Sequence, residues 1–289
     1  MLIFNLPTPI EEHNFKGLKF LLKRDDLISP HFSGNKARKI SYYINNLPSN
    51  IKTIVSYGSI QSNAMYSLAV FAKAKGINFR YYAHHIPPSL KEKSDGNYQL
   101  TLLKGAKIIE GYENLQIDKD EILINEGIAT KEAFIGIKEL AKEIIEQTNN
   151  KSFQIFLPSG TGTTALFLSK ALKELNNKSQ VYTTACVGDS NYLKEQFLKL
   201  ESNPNIFPII LESKKRYRFG RLYKEFYKIW LELQQHIGVE FDLLYDPKGW
   251  ITLLEHKELF PNLLYIHQGG LLGNMTMLKR YKKRFGEEI

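Results

Sequence analysis

A single cysteine, Cys186, stands in the 289 residues. An intramolecular disulfide is therefore excluded, and a zinc site built on cysteines lacks ligands. This usage fits a reducing cytoplasm, which is the expected location. No run reaches the roughly 18 uninterrupted apolar residues that a membrane helix needs, so no membrane association is expected. The opening stretch, Met1-Leu2-Ile3-Phe4-Asn5-Leu6-Pro7, has no basic start and no long apolar core, so no signal peptide is expected. Internal repeats and low-complexity tracts are missing. There is no Gly-x-Gly-x-x-Gly and no Gly-x-x-x-x-Gly-Lys-Ser/Thr, which removes support for a nicotinamide-dependent oxidoreductase and for a P-loop enzyme. Acidic residues are the minority, 30 against 39 Lys and Arg, for a net charge of +9. A basic surplus suits nucleic acid or an anionic surface. Here the lysines are spread along the chain. The densest cluster, Lys214, Lys215, Arg216, Arg218 and Arg221, reads as a solvated helix start and loop. No zinc-finger, RNP or basic-zipper spacing accompanies it, and no nucleic-acid partner is expected.

What is present is alternation. Strands are predicted at Leu18–Lys23, Thr53–Tyr57, Asn78–Ala83, Lys107–Ile109, Gln154–Leu157, Gln180–Cys186, Ile206–Leu211 and Leu263–His267. Helices are predicted at Lys36–Leu47, Ser62–Lys75, Asp95–Leu103, Ala129–Gln147 and Thr164–Leu175, with an apolar helix near Trp230. The fold class is α/β, with a mainly parallel sheet covered by helices. In such sheets ligands sit beyond the carboxyl ends of strands, where loops lead into helices.

Three segments of unusual chemistry occupy such places, and a fourth, Asp242–Trp250, follows the apolar helix near Trp230. In Pro158-Ser-Gly-Thr-Gly-Thr-Thr-Ala165, two glycines and three threonines follow a strand and open a helix. Glycines let backbone N–H groups turn inward, and the helix N-terminus favours an anion. The segment is equally a phosphate cup or a plain capped turn. In Ser33-Gly-Asn-Lys-Ala-Arg-Lys39, Gly34 and Asn35 start a helix and place Lys36 in its first turn. The positive helix end there lowers a lysine pKa and keeps the amine nucleophilic. On spacing alone, a surface lysine beside Arg38 and Lys39 is the better reading. In Tyr57-Gly-Ser-Ile-Gln-Ser-Asn-Ala64, four polar side chains crowd a helix start where capping needs one. Asp242-Leu-Leu-Tyr-Asp-Pro-Lys-Gly-Trp250 reads as a loop around a Tyr-Asp-Pro turn.

Together these segments resemble one family. Lys23-Arg-Asp-Asp-Leu27 followed by Gly34-Asn-Lys-Ala-Arg-Lys39 resembles the opening of the ACC deaminase / D-cysteine desulfhydrase family, which are pyridoxal-phosphate enzymes of the tryptophan-synthase-β fold type (fold type II). Tyr57–Asn63 is similar to its Gly-x-x-Gln-Ser-Asn loop, Pro158–Ala165 to its phosphate loop, and Tyr265–Gly273 to its C-terminal His-Thr-Gly-Gly motif. All four occur in the family's order. The resemblance implies two domains, each an open, mainly parallel twisted sheet covered by helices: a larger cofactor domain of residues 1–38 and 126–289, and a smaller inserted one of residues 39–125.

It also implies roles. Lys36 carries the cofactor as a Schiff base and moves protons. Asn63 bonds the cofactor's phenolic oxygen, and Asn35 joins the cofactor binders. Gly160, Thr161, Gly162, Thr163 and Thr164 hold the phosphate. Gln61, Ser62, Asn63 and Tyr245 face the substrate, with Ser62 and Tyr245 also catalytic. Asp246 falls at the pyridine nitrogen, where ACC deaminases carry Glu and D-cysteine desulfhydrases typically Thr. The implied reaction is β-elimination from D-cysteine to pyruvate, ammonia and sulfide. The alternatives are ring opening of 1-aminocyclopropane-1-carboxylate (ACC) to 2-oxobutanoate and ammonia, and a non-catalytic binder of the cofactor. A homodimer is the family expectation. Departures fall around the substrate: Ala64-Met65-Tyr66 replaces polar residues and an arginine, Gln268 replaces Thr, and Leu243 replaces Pro.

Overall fold

In the computed structural model, residues 2, 4–93, 95–113 and 115–286 are described. Met1 and Ile3 of the N-terminal stretch, and the ends of the expected domain ranges at 1 and 287–289, lie outside the described residues. The chain begins with a hairpin, β1 (Ile10–Phe15) and β2 (Leu18–Arg24), turned at Lys16 and Gly17, both with positive φ. Helix α1 (Gly34–Asn46) leads to β3 (Thr53–Gly58), α2 (Asn63–Lys75), β4 (Asn78–Ala83), short α3 (Pro88–Glu92), α4 (Gly96–Leu103), β5 (Lys107–Glu110) and β6 (Glu121–Ile124). Then follow α5 (Ala133–Gln147), β7 (Gln154–Ser159), α6 (Thr163–Glu174), β8 (Gln180–Ala185), α7 (Ser190–Leu200) and β9 (Ile209–Ile210). The chain closes with α8 (Lys224–Ile237), α9 (Asp246–Glu255), β10 (Leu263–His267) and α10 (Asn274–Phe285).

The strands form two sheets, β1-β2-β10-β7-β8-β9 and β5-β4-β3-β6. Every strand pairing is parallel except the β1–β2 hairpin. Apolar residues cover both faces of the first sheet. One face meets α8 and α9 through Trp230, Leu233 and Trp250, and the other meets α5 and α6 through Ile137, Leu140 and Leu168. A third core joins the second sheet to α1 and α2 through Ala37, Ile40, Ile54 and Phe71. Fully covered parallel sheets explain why these strands read as short apolar runs.

Differences from the predicted elements have local causes. The helix expected from Ala129 starts at Ala133, because Gly127 and Ile128 both take positive φ and break the turn. The strand expected over Ile206–Leu211 shrinks to Ile209–Ile210 behind a 3-10 turn at Pro204–Ile206. The loop expected at Tyr245-Asp246-Pro247 is the first turn of α9, with Pro247 near its start, where the missing N–H costs nothing. The Lys214–Arg221 cluster is loop throughout and solvated, with no helix start.

Helix α1 is fixed by charges rather than by its N-cap. Arg38 is buried and forks onto two carboxylates, Asp25 (2.8 and 3.1 Å) and Glu143 of α5 (2.6 and 2.8 Å). Lys23 of β2, fully buried, donates to Glu143 (2.9 Å), Gln147 (2.8 Å) and the Thr8 carbonyl (2.6 Å). Gly136 of α5 permits this close crossing. A Cβ there would lie 1.9 Å from the Arg38 carbonyl oxygen. The Lys23–Asp25 and Arg38 portions of the N-terminal motif are therefore a structural clamp. Removing one partner of a buried ion pair costs about 3–5 kcal/mol, because the other charge is left uncompensated. Glu143→Ala leaves buried Lys23 without its carboxylate and Arg38 with Asp25 alone, so a loss of about that size is expected in urea denaturation. An unfolding free energy within about 0.5 kcal/mol of the parent would remove the clamp role.

Candidate active site

The carboxyl ends of both sheets open onto one cavity of about 340 Å³. That volume is within the range of small-ligand pockets. Lys36, Asn35, Gln61, Ser62, Asn63, Tyr245, Asp246 and the loop Gly160–Thr164 all line it. Elements distant in sequence thus bring every residue expected at the site to one place.

Lys36 owes its direction to helix geometry. At about 100° per residue, Arg38 is about 200° round the helix from Lys36, whereas Lys39 is one turn on and on the same side. Arg38 enters the clamp, and Lys36 and Lys39 line the cavity. Burial draws the Lys36 pKa from 10.5 down to about 8, against the opposing pull of Asp242 and Glu126. Burial, rather than the helix end, is the chief cause. Arg38 and Lys39 are buried too, so the solvated basic hexapeptide is not what forms. Asn35 docks the start of α1 onto the loop after β10: its N–H donates to the Gln268 carbonyl (3.1 Å) and its side chain to Gln268 Oε1 (3.1 Å).

The loop before α2 divides its polar groups between scaffold and cavity. Ser62 caps α2, its Oγ accepting from the Ala64 N–H (3.1 Å). Gln61 ties down α4, donating to the Asp95 carbonyl (3.1 Å) and accepting from the Tyr98 N–H (3.3 Å). Asn63 Oδ1 accepts from Asn97 (2.8 Å), which turns its Nδ2 towards Gly270. Gly270 has φ of 95°, and a Cβ there would lie 2.6 Å from Asn63 Nδ2, so only glycine fits.

The loop after β7 enters α6 through Gly162, with Thr161 and Thr163 hydroxyls 3.0 Å apart. The first-turn N–H groups of a helix lack intrahelical acceptors and attract anions. Lys39 places a buried amine beside this loop. Its Nζ donates to the Gly127 carbonyl (3.0 Å), and Gly127 abuts Thr161. Burial and the nearby Lys36 hold the Lys39 pKa well below normal.

The opposite wall holds two carboxyls and a phenol. Asp242 Oδ1 accepts from the N–H groups of Leu244 (2.8 Å) and Tyr245 (2.7 Å), while buried Oδ2 has no protein partner. Burial raises its pKa from 3.8 to about 7. Asp246 is buried, with Oδ1 accepting from Tyr265 (2.5 Å) and Oδ2 from the Asp242 N–H (3.0 Å). Burial and the Asp242 charge push its pKa far up. Burial, then Asp242, keeps the Tyr245 phenol protonated, with its ring 5.3 Å from Phe219. Glu126, after β6, lines the cavity beside Gly58 and Ser59, its pKa raised by burial.

Lys39 and Glu126 were not foreseen. The signal for Lys39 was its i+3 spacing from Lys36. Glu126 follows a four-residue strand and carries no motif.

This donor set suits a phosphorylated carbonyl compound. It offers an amine of lowered pKa, a Gly/Thr cup with a second buried amine beside it, and the Asn63 amide in its lining. A family model, "Pyridoxal-phosphate dependent enzyme", matches residues 2–199. The bifunctional D-cysteine desulfhydrase/1-aminocyclopropane-1-carboxylate deaminase of Arabidopsis thaliana is 25% identical, the match covering 93% of this chain and 77% of that protein. The D-cysteine desulfhydrase of Serratia proteamaculans is 24% identical over 91% of each. A crystal structure of an ACC deaminase homologue superposes with a TM-score of 0.77 at 21% identity, covering 98% of this chain and 95% of the other. The chain belongs to the pyridoxal-phosphate-dependent enzymes, and its fold is that of fold type II.

Condensation with the cofactor needs the neutral amine. With the Lys36 pKa at about 8, the rate of loading apo-protein should rise with pH and level off above 8. Below that, each pH unit slows it about tenfold. A rate still climbing towards pH 10.5 would mean that Lys36 is unperturbed. Lys39→Met should weaken cofactor retention about tenfold or more in dialysis, as expected for a lost charge-assisted bond.

Proposed function

We propose that this pyridoxal-phosphate-dependent enzyme is a deaminating lyase for a small amino acid, and that it converts D-cysteine to pyruvate, ammonia and sulfide by β-elimination. The observation that carries the reading is Lys36, a buried amine with its pKa drawn to about 8, inside a cavity shared with Ser62, Tyr245 and the Gly160–Thr164 loop. When bound, the cofactor supplies an electron sink for charge developing at the substrate α-carbon.

The chain's own groups do the rest. Lys36 holds the cofactor and, once displaced by the substrate amine, is the base at the α-carbon. Gly160, Thr161, Gly162, Thr163 and Thr164 take the phosphate, with Lys39 offsetting its charge. Asn63 Nδ2 donates to the phenolic oxygen, its Oδ1 being already engaged by Asn97. The α2 N-terminus, with Ser62 Oγ and the backbone at Gln61, receives the substrate carboxylate. The Gln61 side chain tethers α4 and contributes through the loop's shape. Asp246 would be the carboxyl facing the pyridine nitrogen, its pKa pushed far up by burial and its Oδ1 accepting from Tyr265.

Tyr245 and Ser62 sharing the cavity favours a second reading, ring opening of ACC to 2-oxobutanoate and ammonia. Two relatives bear names that support these readings, one of them naming both activities. The same proposal takes residues 39–125 as the smaller domain, although the boundary at 38/39 falls inside unbroken α1. It takes the enzyme as a cytoplasmic homodimer; no helix among the described residues is long and apolar enough to cross a membrane.

Purified protein should release pyruvate and sulfide from D-cysteine and absorb visible light through its bound cofactor. Lys36→Ala should be colourless and slower by about 10³-fold, within the range for losing a positioned base. Keto acid from ACC without sulfide from D-cysteine would select ring opening. A yellow protein that makes neither product is a binder and not a lyase.

A further inference from the structure

The charges facing the cavity are unequally committed. Its charged lining side chains are Lys36, Lys39, Glu126, Asp242 and Asp246, and no arginine or histidine lines it among the described residues. On the reading above, Lys36 gives up its charge to the cofactor and Lys39 faces the phosphate. Asp246 is engaged by Tyr265 and by the Asp242 N–H. The charged groups left for a substrate are then Glu126 and Asp242, both carboxyls.

Glu126 is fixed in the cavity lining at the start of the loop before α2. Its carboxyl lies against Gly58, where a Cβ would be 2.5 Å from Oε1. The Ser59 N–H donates to it. Ser59 opens the loop ending in Ser62 and Asn63, so Glu126 stands beside the place proposed for the α-carboxylate. The loop's neutral donors satisfy one carboxylate. A second anionic group finds no free cation there and meets Glu126 instead. Like charges brought together in a cavity disfavour binding.

We propose that Glu126 is a specificity-determining residue, selecting amino acids whose β-substituent is neutral or cationic and rejecting those that carry a second anionic group. The proposal rests on the reading of the cavity as an amino-acid site.

Three probes test it, each with both enantiomers: β-chloroalanine (neutral), 2,3-diaminopropionate (cationic) and cysteate (anionic). Each reacts with one water to give pyruvate and ammonium, releasing chloride and a proton, a second ammonium, or sulfite and a proton respectively, with no oxidant or reductant. Two readouts are taken on the holoenzyme: kcat/KM for pyruvate, and the dissociation constant from the change in visible absorbance on adding each amino acid. Leaving groups differ, so the cysteate-to-β-chloroalanine ratio is compared between parent and variants. Glu126→Gln keeps an acceptor for the Ser59 N–H and removes the charge. It should raise that ratio in kcat/KM, and lower it in the dissociation constants, by about tenfold or more, the equivalent of about 1.4 kcal/mol, and Glu126→Asp should leave both near the parent's values. An unchanged ratio in Glu126→Gln overturns the proposal. So does a parent that binds cysteate as tightly as β-chloroalanine, or one whose spectrum responds to none of the three. A preference in the dissociation constants without pyruvate from any probe leaves the selectivity standing and removes the lyase reading.

Discussion

Arg38 reaches two carboxylates at once, Asp25 beyond β2 and Glu143 on α5, and all three are out of bulk water. An ion pair in such a place contributes little net stability compared with apolar packing, yet it is strongly directional. Here direction is the useful product. A helix rotated about its own axis by half a turn would put Arg38 in the cavity and Lys36 in the scaffold. The clamp forbids that rotation, and Gly136 lets α5 come close enough to enforce it.

The cavity is then a matter of which charges are already spoken for. Asp25 and Glu143 are consumed by the clamp, and Asp246 by Tyr265 and the backbone of Asp242. Asp242 spends one oxygen on the start of α9 and leaves the other without a protein partner. Lys39 has one carbonyl acceptor. These leftovers give the site its chemistry, because an enclosed group without a full set of partners changes its protonation more readily than a satisfied one.

Much of this was legible in the sequence. Strands Asn78–Ala83 and Leu263–His267 form with the bounds their patterns imply: the second is a fully buried run, and the first buries Phe79, Tyr81, Tyr82 and Ala83. The Gly/Thr loop after β7 was legible because its backbone needs are written in its residue types. Other features were not. β1 carries Glu11, Glu12, His13 and Asn14 and is a strand only because β2 pairs with it. Lys39 sits in a basic hexapeptide, where solvent is the default, and its burial is a tertiary fact. The polar crowding at Gln61–Asn63 was legible as excess, but not its division between tethering α4 and facing the cavity. Pro247 was a readable helix-start signal that the Tyr-Asp-Pro turn obscured.

Helix α1 also belongs to both sheets. Its first turn is fastened to the loop after β10 through Asn35 and Gln268, and its later residues, Ala37, Ile40 and Tyr43, pack with the helices of the β5-β4-β3-β6 sheet. One helix thus serves as the seam of the molecule: the reactive amine is seated at the end stitched to the larger sheet, and Glu126 and the Ser59–Asn63 loop reach it from the smaller one.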